Sequence, residues 1–279
     1  MAALKVGSGR YRYEVVRSWG QLPHGWAFGK ISGVAVDSQG RVFVYQRTDR
    51  PILVFDRDGR FLATWGEGLI TDAHGIYVGS DDHVYAVDRD DHQVLKFTPD
   101  GTLVMTLGTR GEPGREPGAP FNHPTAAAVG PAGEIYVCDG YANSRVHTFD
   151  ARGEHLRSWG TPGSAPGQFK VPHGIWVDDE SRVYVVDREN NRVQVFTSAG
   201  SFVAQWTDFY RPTDVFMDRR HAFYVTDHIP RYSILDSEGN LLARCRVIGS
   251  LPHSIYGDSN GDLYICIIAD RVIEKHVKI

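Results

Sequence analysis

Short apolar runs rich in Val, Ile, Tyr and Phe recur along the chain, punctuated by Gly, Asp, Ser and Pro. β-Branched and aromatic runs bounded by turn residues read as strands. They fall into an ordered set. One series is Ser32-Gly-Val-Ala-Val36, His74-Gly-Ile-Tyr-Val78, Thr125-Ala-Ala-Ala-Val129, His173-Gly-Ile-Trp-Val177, Thr213-Asp-Val-Phe-Met217 and His253-Ser-Ile-Tyr-Gly257. A second follows each member after a polar turn: Val42–Tyr45, Val84–Val87, Ile135–Cys138, Val183–Val186, Phe223–Thr226 and Leu263–Cys266. A third and a fourth strand complete the unit, as in Arg192–Phe196 and Leu156–Trp159. No stretch of useful length carries a helical period. The first series starts at residues 32, 74, 125, 173, 213 and 253, so its spacings are 42, 51, 48, 40 and 40. Four strands per period of this length predict propeller blades. Six registers predict an all-β, six-bladed β-propeller that occupies residues 1–279 as a single domain.

The sixth unit reaches its third strand near Ile273–Val277 and then the chain ends. The segment Tyr13-Glu-Val-Val-Arg-Ser-Trp-Gly20 has the character of the fourth strands that end Arg157-Ser-Trp-Gly160 and Ala63-Thr-Trp-Gly66. The N-terminal strand is therefore expected to complete the last blade. Such closure removes two open sheet edges that would otherwise pair with other chains.

Histidine fills the second, fourth and sixth registers, at His74, His173 and His253. Alternate units of a six-membered ring stand roughly 120° apart. Three side chains in one register, aimed at the axis, then form a facial set of imidazoles with open positions, which suits a divalent transition metal. Zinc is the first choice, and iron, cobalt or manganese suit the same donors. The other histidines, His83, His147 and His221 among them, follow no register. Arg47, Arg89, Arg188 and His228 each come one residue after the position ending the second strand, on the expected rim of the histidine site. An arginine there clamps a carboxylate in two-pronged fashion. Tyr141 follows the turn glycine Gly140 and projects from a loop, unlike the strand tyrosines.

Charge and cysteine content narrow the partners. Thirty Lys and Arg against 34 Asp and Glu give a net charge of -4 without a long basic run, which argues against nucleic acid. No signal-peptide core or bilayer-spanning apolar run is seen, so no membrane partner and a cytoplasmic location are expected. Cys138, Cys245 and Cys266 sit inside apolar strand patterns, as reduced core thiols do. Asp88, Asp139, Asp187 and Asp227 recur after the second strand, and recurrence assigns them to backbone hydrogen bonding in turns. The glycines after Ser32, His74 and His173 are expected to permit close packing at the axis.

The stretch Val186-Asp-Arg-Glu-Asn-Asn-Arg-Val-Gln-Val-Phe196 resembles the NHL repeat of six-bladed propellers. Within that family the chain resembles peptidyl-α-hydroxyglycine α-amidating lyases over nearly its whole length. The resemblance is strongest in Pro166-Gly-Gln-Phe-Lys-Val-Pro-His-Gly174, Asp187-Arg-Glu-Asn190 and Asp139-Gly-Tyr-Ala-Asn-Ser-Arg145. It implies that His74, His173 and His253 hold a catalytic zinc, that Tyr141 acts on the substrate hydroxyl, and that Arg47 and Arg188 belong to the active site. The implied reaction splits an N-acyl carbinolamine into an amide and an aldehyde such as glyoxylate, so the partner is a small or short N-acylated substrate. Two departures stand out. A cysteine beside the family's tyrosine is replaced by Ala142, with Asn122 at its partner's place, and Ser254 replaces an aspartate that helps hold a structural calcium. A calcium site is therefore not expected. The same site presented to water suits a metal-dependent hydrolase or hydratase, and the architecture without the site suits a non-catalytic NHL binding propeller.

Overall fold

A computed structural model describes residues 4–116 and 121–279. Six antiparallel sheets are arranged as blades around one axis. The innermost strands of blades one to six are Lys30–Val36, Ala73–Val78, Ala126–Val129, Pro172–Val177, Pro212–Met217 and Pro252–Gly257. Each packs against the next, and the sixth packs against the first. Within blades one to five the strands follow chain order from the axis outward, as the repeat predicts.

The sixth blade is completed by Tyr11–Trp19, which pairs antiparallel with Val272–Lys278 in the register Tyr13↔Lys278, Val15↔His276 and Trp19↔Ile273. The expected closure is therefore present. One addition was not legible in the sequence: Lys5–Ser8 pairs with Tyr11–Glu14 and makes this sheet five-stranded. Among the described residues a single 3-10 turn, Arg188–Asn190, interrupts the all-strand pattern on the rim of blade four.

Between blades the core is aromatic. The Trp that ends a fourth strand lies on a Phe of the next blade, as in Trp65 on Phe97 at 5.0 Å and Trp159 on Phe196 at 4.5 Å between ring centroids. Edge and tilted contacts of this kind add about 0.5–1.5 kcal/mol each beyond the area they bury. The tryptophan of the N-terminal strand does the same across the closure, Trp19 on Phe55 at 5.4 Å. At the axis the space is smaller. A Cβ on Gly75 would meet the Thr125 carbonyl oxygen at 2.5 Å, and one on Gly174 would meet Thr213 O and Asp214 Cα at 3.0 Å. A Cβ on Gly33 would likewise meet Ile76 at 2.8 Å. Only glycine lets these inner strands approach one another so closely.

The recurrent aspartates are fixed in turns. Asp88 accepts the backbone N–H groups of Thr71, Asp72 and Asp91, and Asp187 accepts that of Lys170 together with Asn190, Arg192 and Gln194 side chains. Asp139 and Asp227 do the same work through Asn122 N and Ile229 N. The three cysteines are free and buried. Deleting residues 1–20 removes the closing strand and is expected to abolish cooperative folding. A truncated protein with an unchanged melting transition would contradict this closure.

Candidate metal centre

In five of the six blades the register residue lies at a β-bulge. The ladder slips between Ile31 and Gly33, Ala73 and Ile76, Pro172 and Gly174, Pro212 and Asp214, and Pro252 and Ser254. A bulge leaves one residue unpaired and re-aims its side chain. Ser32, His74, His173, Thr213 and His253 occupy these positions, which is how one register delivers side chains to the axis.

These side chains form a belt between blades. His74 Nδ1 lies 2.7 Å from Thr125 O, His173 Nδ1 2.7 Å from Thr213 O, and His253 Nδ1 2.7 Å from Ser32 O. At the alternate interfaces Thr125 Oγ1 donates to Pro172 O at 2.8 Å and Thr213 Oγ1 to Pro252 O at 3.0 Å. A carbonyl only accepts, so each Nδ1 carries the proton and each Nε2 is left with its lone pair. The three nitrogen ligands lie within 4.8 Å of one another. Imidazole rings are 4.8 to 5.2 Å apart between centroids. Second-sphere carbonyls of this kind fix ring orientation and tautomer in metal sites, and the donor set fits zinc with an open position.

Burial keeps the triad neutral. Desolvation holds His74 and His173 well below the usual imidazole range, helped by each histidine's neighbours and by the cationic rim. Desolvation pushes His253 down to about 4. Neutral imidazoles need lose no proton to bind a cation.

Tyr141 stands over the triad. Its hydroxyl is 3.0 Å from His74 Nε2 and 3.4 Å from His173 Nε2, and its backbone N–H donates to His123 O at 3.3 Å. Arg188 Nη1 donates to the same hydroxyl at 3.3 Å, with its guanidinium carbon 5.3 Å from the ring centre. The guanidinium carbon of Arg89 lies 5.7 Å from that ring centre. Arg47 Nε donates to Ala73 O at 3.0 Å and faces Asp72 Oδ1 at 3.0 Å. Tyr141 thus meets the triad directly and Arg188 reaches it through the Tyr141 hydroxyl, whereas Arg47 and Arg89 stand beside it on the rim. His228 holds the equivalent rim position in blade five, and its ring bonds to none of these residues.

Beneath the triad lies a small chamber of about 40 Å³ with a mixed lining, Ser32, Thr125, Thr213, Asp214 and Ser254 beside Ile76, Ile175 and Trp176. That is room for a few waters. Tyr77, Trp176, Phe216 and Tyr256 stack across the axis below it, with Trp176 5.7 Å from Tyr77 and 5.3 Å from Phe216. Asp214 had no motif to mark it in the sequence. Burial pushes its carboxyl up to about 6, and it accepts the N–H groups of Val215 and Ile255. Ser254 Oγ accepts Val34 N. Ser254 offers a hydroxyl where the resemblance implies a calcium-ligating carboxylate.

Comparison with known proteins places this geometry among relatives. The NHL repeat profile matches residues 71–97, 121–149 and 169–196. The chain is 30% identical to human NHL repeat-containing protein 3, over 96% of this chain and 84% of that protein. It is 32% identical to a probable peptidyl-alpha-hydroxyglycine alpha-amidating lyase of Caenorhabditis elegans, over 61% of this chain and 56% of the lyase. Mouse peptidyl-glycine alpha-amidating monooxygenase is 28% identical over 85% of this chain, which spans 29% of that longer protein. Among solved structures, a Xanthomonas campestris gluconolactonase shares the fold with a TM-score of 0.73 at 16% identity, covering 96% of this chain and 90% of that one. No helix among the described residues is long and apolar enough to cross a membrane.

Two outcomes test the site. Elemental mass spectrometry is expected to find about one transition metal per chain, lost in His74→Ala. In the metal-free protein the imidazoles titrate near 6.5 when unfolded and far lower when folded. The unfolded chain then binds more protons, so stability rises with pH through that window. Thermal melts of chelated protein should be flat above pH ~7 and fall from about pH 6.5 towards 4, His253 alone costing on the order of 3 kcal/mol. Melts that improve on acidification would contradict the neutral triad.

Proposed function

The chain belongs to the NHL-repeat protein family, and on that premise we propose that it is a metal-dependent lyase related in chemistry to the amidating lyases. It would cleave an N-acyl α-hydroxyglycine, R–CO–NH–CH(OH)–COO⁻, into R–CO–NH₂ and glyoxylate. The observation that carries this reading is the Tyr141 hydroxyl, shared among His74 Nε2, His173 Nε2 and Arg188 Nη1 at 3.0, 3.4 and 3.3 Å. A proton-transfer group is thereby held at the open side of a metal-ligating triad.

A divalent ion on His74, His173 and His253, zinc by donor preference, supplies Lewis acidity for the substrate oxygen. The protein's own residues do the rest. Tyr141 takes the proton of the substrate hydroxyl onto its phenolate oxygen, and Arg188, donating to that oxygen, balances its negative charge before the transfer. The O–H electron pair becomes the second bond of the aldehyde as the C–N bond breaks. The departing amide nitrogen takes up the proton that Tyr141 removed from the hydroxyl, so the tyrosine is restored and neither water nor an oxidant is consumed. Arg47 has both terminal guanidinium nitrogens unbonded among the described residues, because its contacts are made through Nε. They are free to hold the substrate carboxylate as a pair. Tyr77, Trp176, Phe216 and Tyr256 crowd the far end of the channel, and the rim beside Tyr141 is the way in.

Glyoxylate release from α-hydroxyhippurate by zinc-loaded protein tests the reading. Tyr141→Phe is expected to lower kcat by roughly 10²–10⁴-fold with metal content unchanged, and Arg47→Ala to act mainly on KM. Metal-replete protein that releases no glyoxylate yet opens a lactone or amide would replace the lyase with a hydrolase.

A further inference from the structure

Asp72 differs from every recurrent aspartate of this fold. Asp88, Asp139, Asp187 and Asp227 are each tied into turns by backbone N–H groups. Asp72 sits two residues before His74, only 8% exposed, and its carboxylate accepts no backbone hydrogen bond. Its surroundings are two rim arginines. Arg47 Nε is 3.0 Å from Asp72 Oδ1, and Arg89 Nε is 2.8 Å from Asp72 Oδ2. The Nε–H groups themselves point elsewhere, Arg47 to Ala73 O and Arg89 to Asp90 Oδ1. Asp72 Oδ2 is left buried without a hydrogen bond. A buried carboxylate in that state costs free energy. The cost brings one arrangement: a single charge lies against both guanidinium stems, so one arginine faces the Tyr141 ring and the other keeps its terminal nitrogens free.

We infer that Asp72 is a positioning residue that sets Arg47 as a carboxylate receptor and Arg89 against Tyr141, restricting substrates to acids rather than their amides or esters. This rests on the lyase reading, but its first test does not need turnover. Asp72 acts through Arg47, which would hold the carboxylate, and through Arg89, which braces the tyrosine. A role in bulk charge alone predicts the opposite sign, because removing the negative charge makes the mouth more cationic and should tighten an anion.

The experiment compares wild type with Asp72→Asn, which keeps the shape and removes the charge. Hippurate, an unreactive N-acylglycine, is titrated calorimetrically into zinc-loaded protein, with melting temperature and metal content measured beside it. We expect Kd to rise about 10- to 100-fold, the scale of a misplaced binding group, with metal content kept. In an Arg47→Ala background the same change should have little further effect, since interacting residues are non-additive. On α-hydroxyhippurate, KM should rise and the preference for the acid over its methyl ester should shrink. Tighter hippurate binding in Asp72→Asn, unchanged binding, or full additivity with Arg47→Ala would each overturn the inference. If Asp72→Asn fails to fold, Arg89→Lys, which keeps the charge but loses the Nε contact, must weaken hippurate binding or the inference falls. A wild type that binds hippurate through Asp72 but releases no glyoxylate would sink the lyase reading and leave the receptor standing.

Discussion

The belt of side-chain to carbonyl hydrogen bonds around the axis is the constraint on which the site depends. It alternates His and Thr: His74 to Thr125 O, Thr125 to Pro172 O, His173 to Thr213 O, Thr213 to Pro252 O, and His253 to Ser32 O. Each link joins one blade to the next. The same bond that fastens two blades also fixes a tautomer, because Nδ1 gives its proton to the neighbour and Nε2 turns inward without one. Structure and ligand chemistry are thus a single arrangement. The last link crosses the ring closure, so the third ligand is correctly held only when the sixth blade has met the first.

The electrostatics of the site divide by depth. At the axis, burial favours uncharged imidazoles, and like-charged neighbours reinforce this. On the rim, guanidinium groups lie over the Tyr141 ring and beside the triad, partly balanced by Asp72, Asp90 and Glu189. Neutral donors below and cations above suit a metal ion at the triad and an anion at the rim. A hydroxy acid bears both the oxygen for the ion and the carboxylate for the arginines. That match favours the lyase over a general binding propeller, for which neither feature has a use.

Much of this was legible in the chain. Period, strand order, the terminal strand that closes the ring and the three aligned histidines all follow from pattern, because a propeller repeats one local structure and so repeats its sequence. Tyr141 and Arg188 stood out by position and resemblance; Tyr141 meets the triad and Arg188 meets Tyr141. Arg89 and His228 occupy equivalent rim positions, yet only Arg89 reaches Tyr141; position in a repeat gives height along the axis but not side-chain direction. The alternating threonines passed as ordinary strand residues, and their service to the belt appears only with neighbouring blades in place.

The sequence by itself determined the blades, their number and which residues face the axis, since these depend on local strand preference and on a period counted along one chain. The tertiary structure decided which nitrogen of each histidine is free, which arginines share a carboxylate and where aromatic rings gather across the axis. Asp72 and Asp214 make the point: both are single aspartates without a motif, and both acquire meaning from partners in other blades or from burial. Those are properties of distances between residues far apart in the chain, which no local pattern encodes.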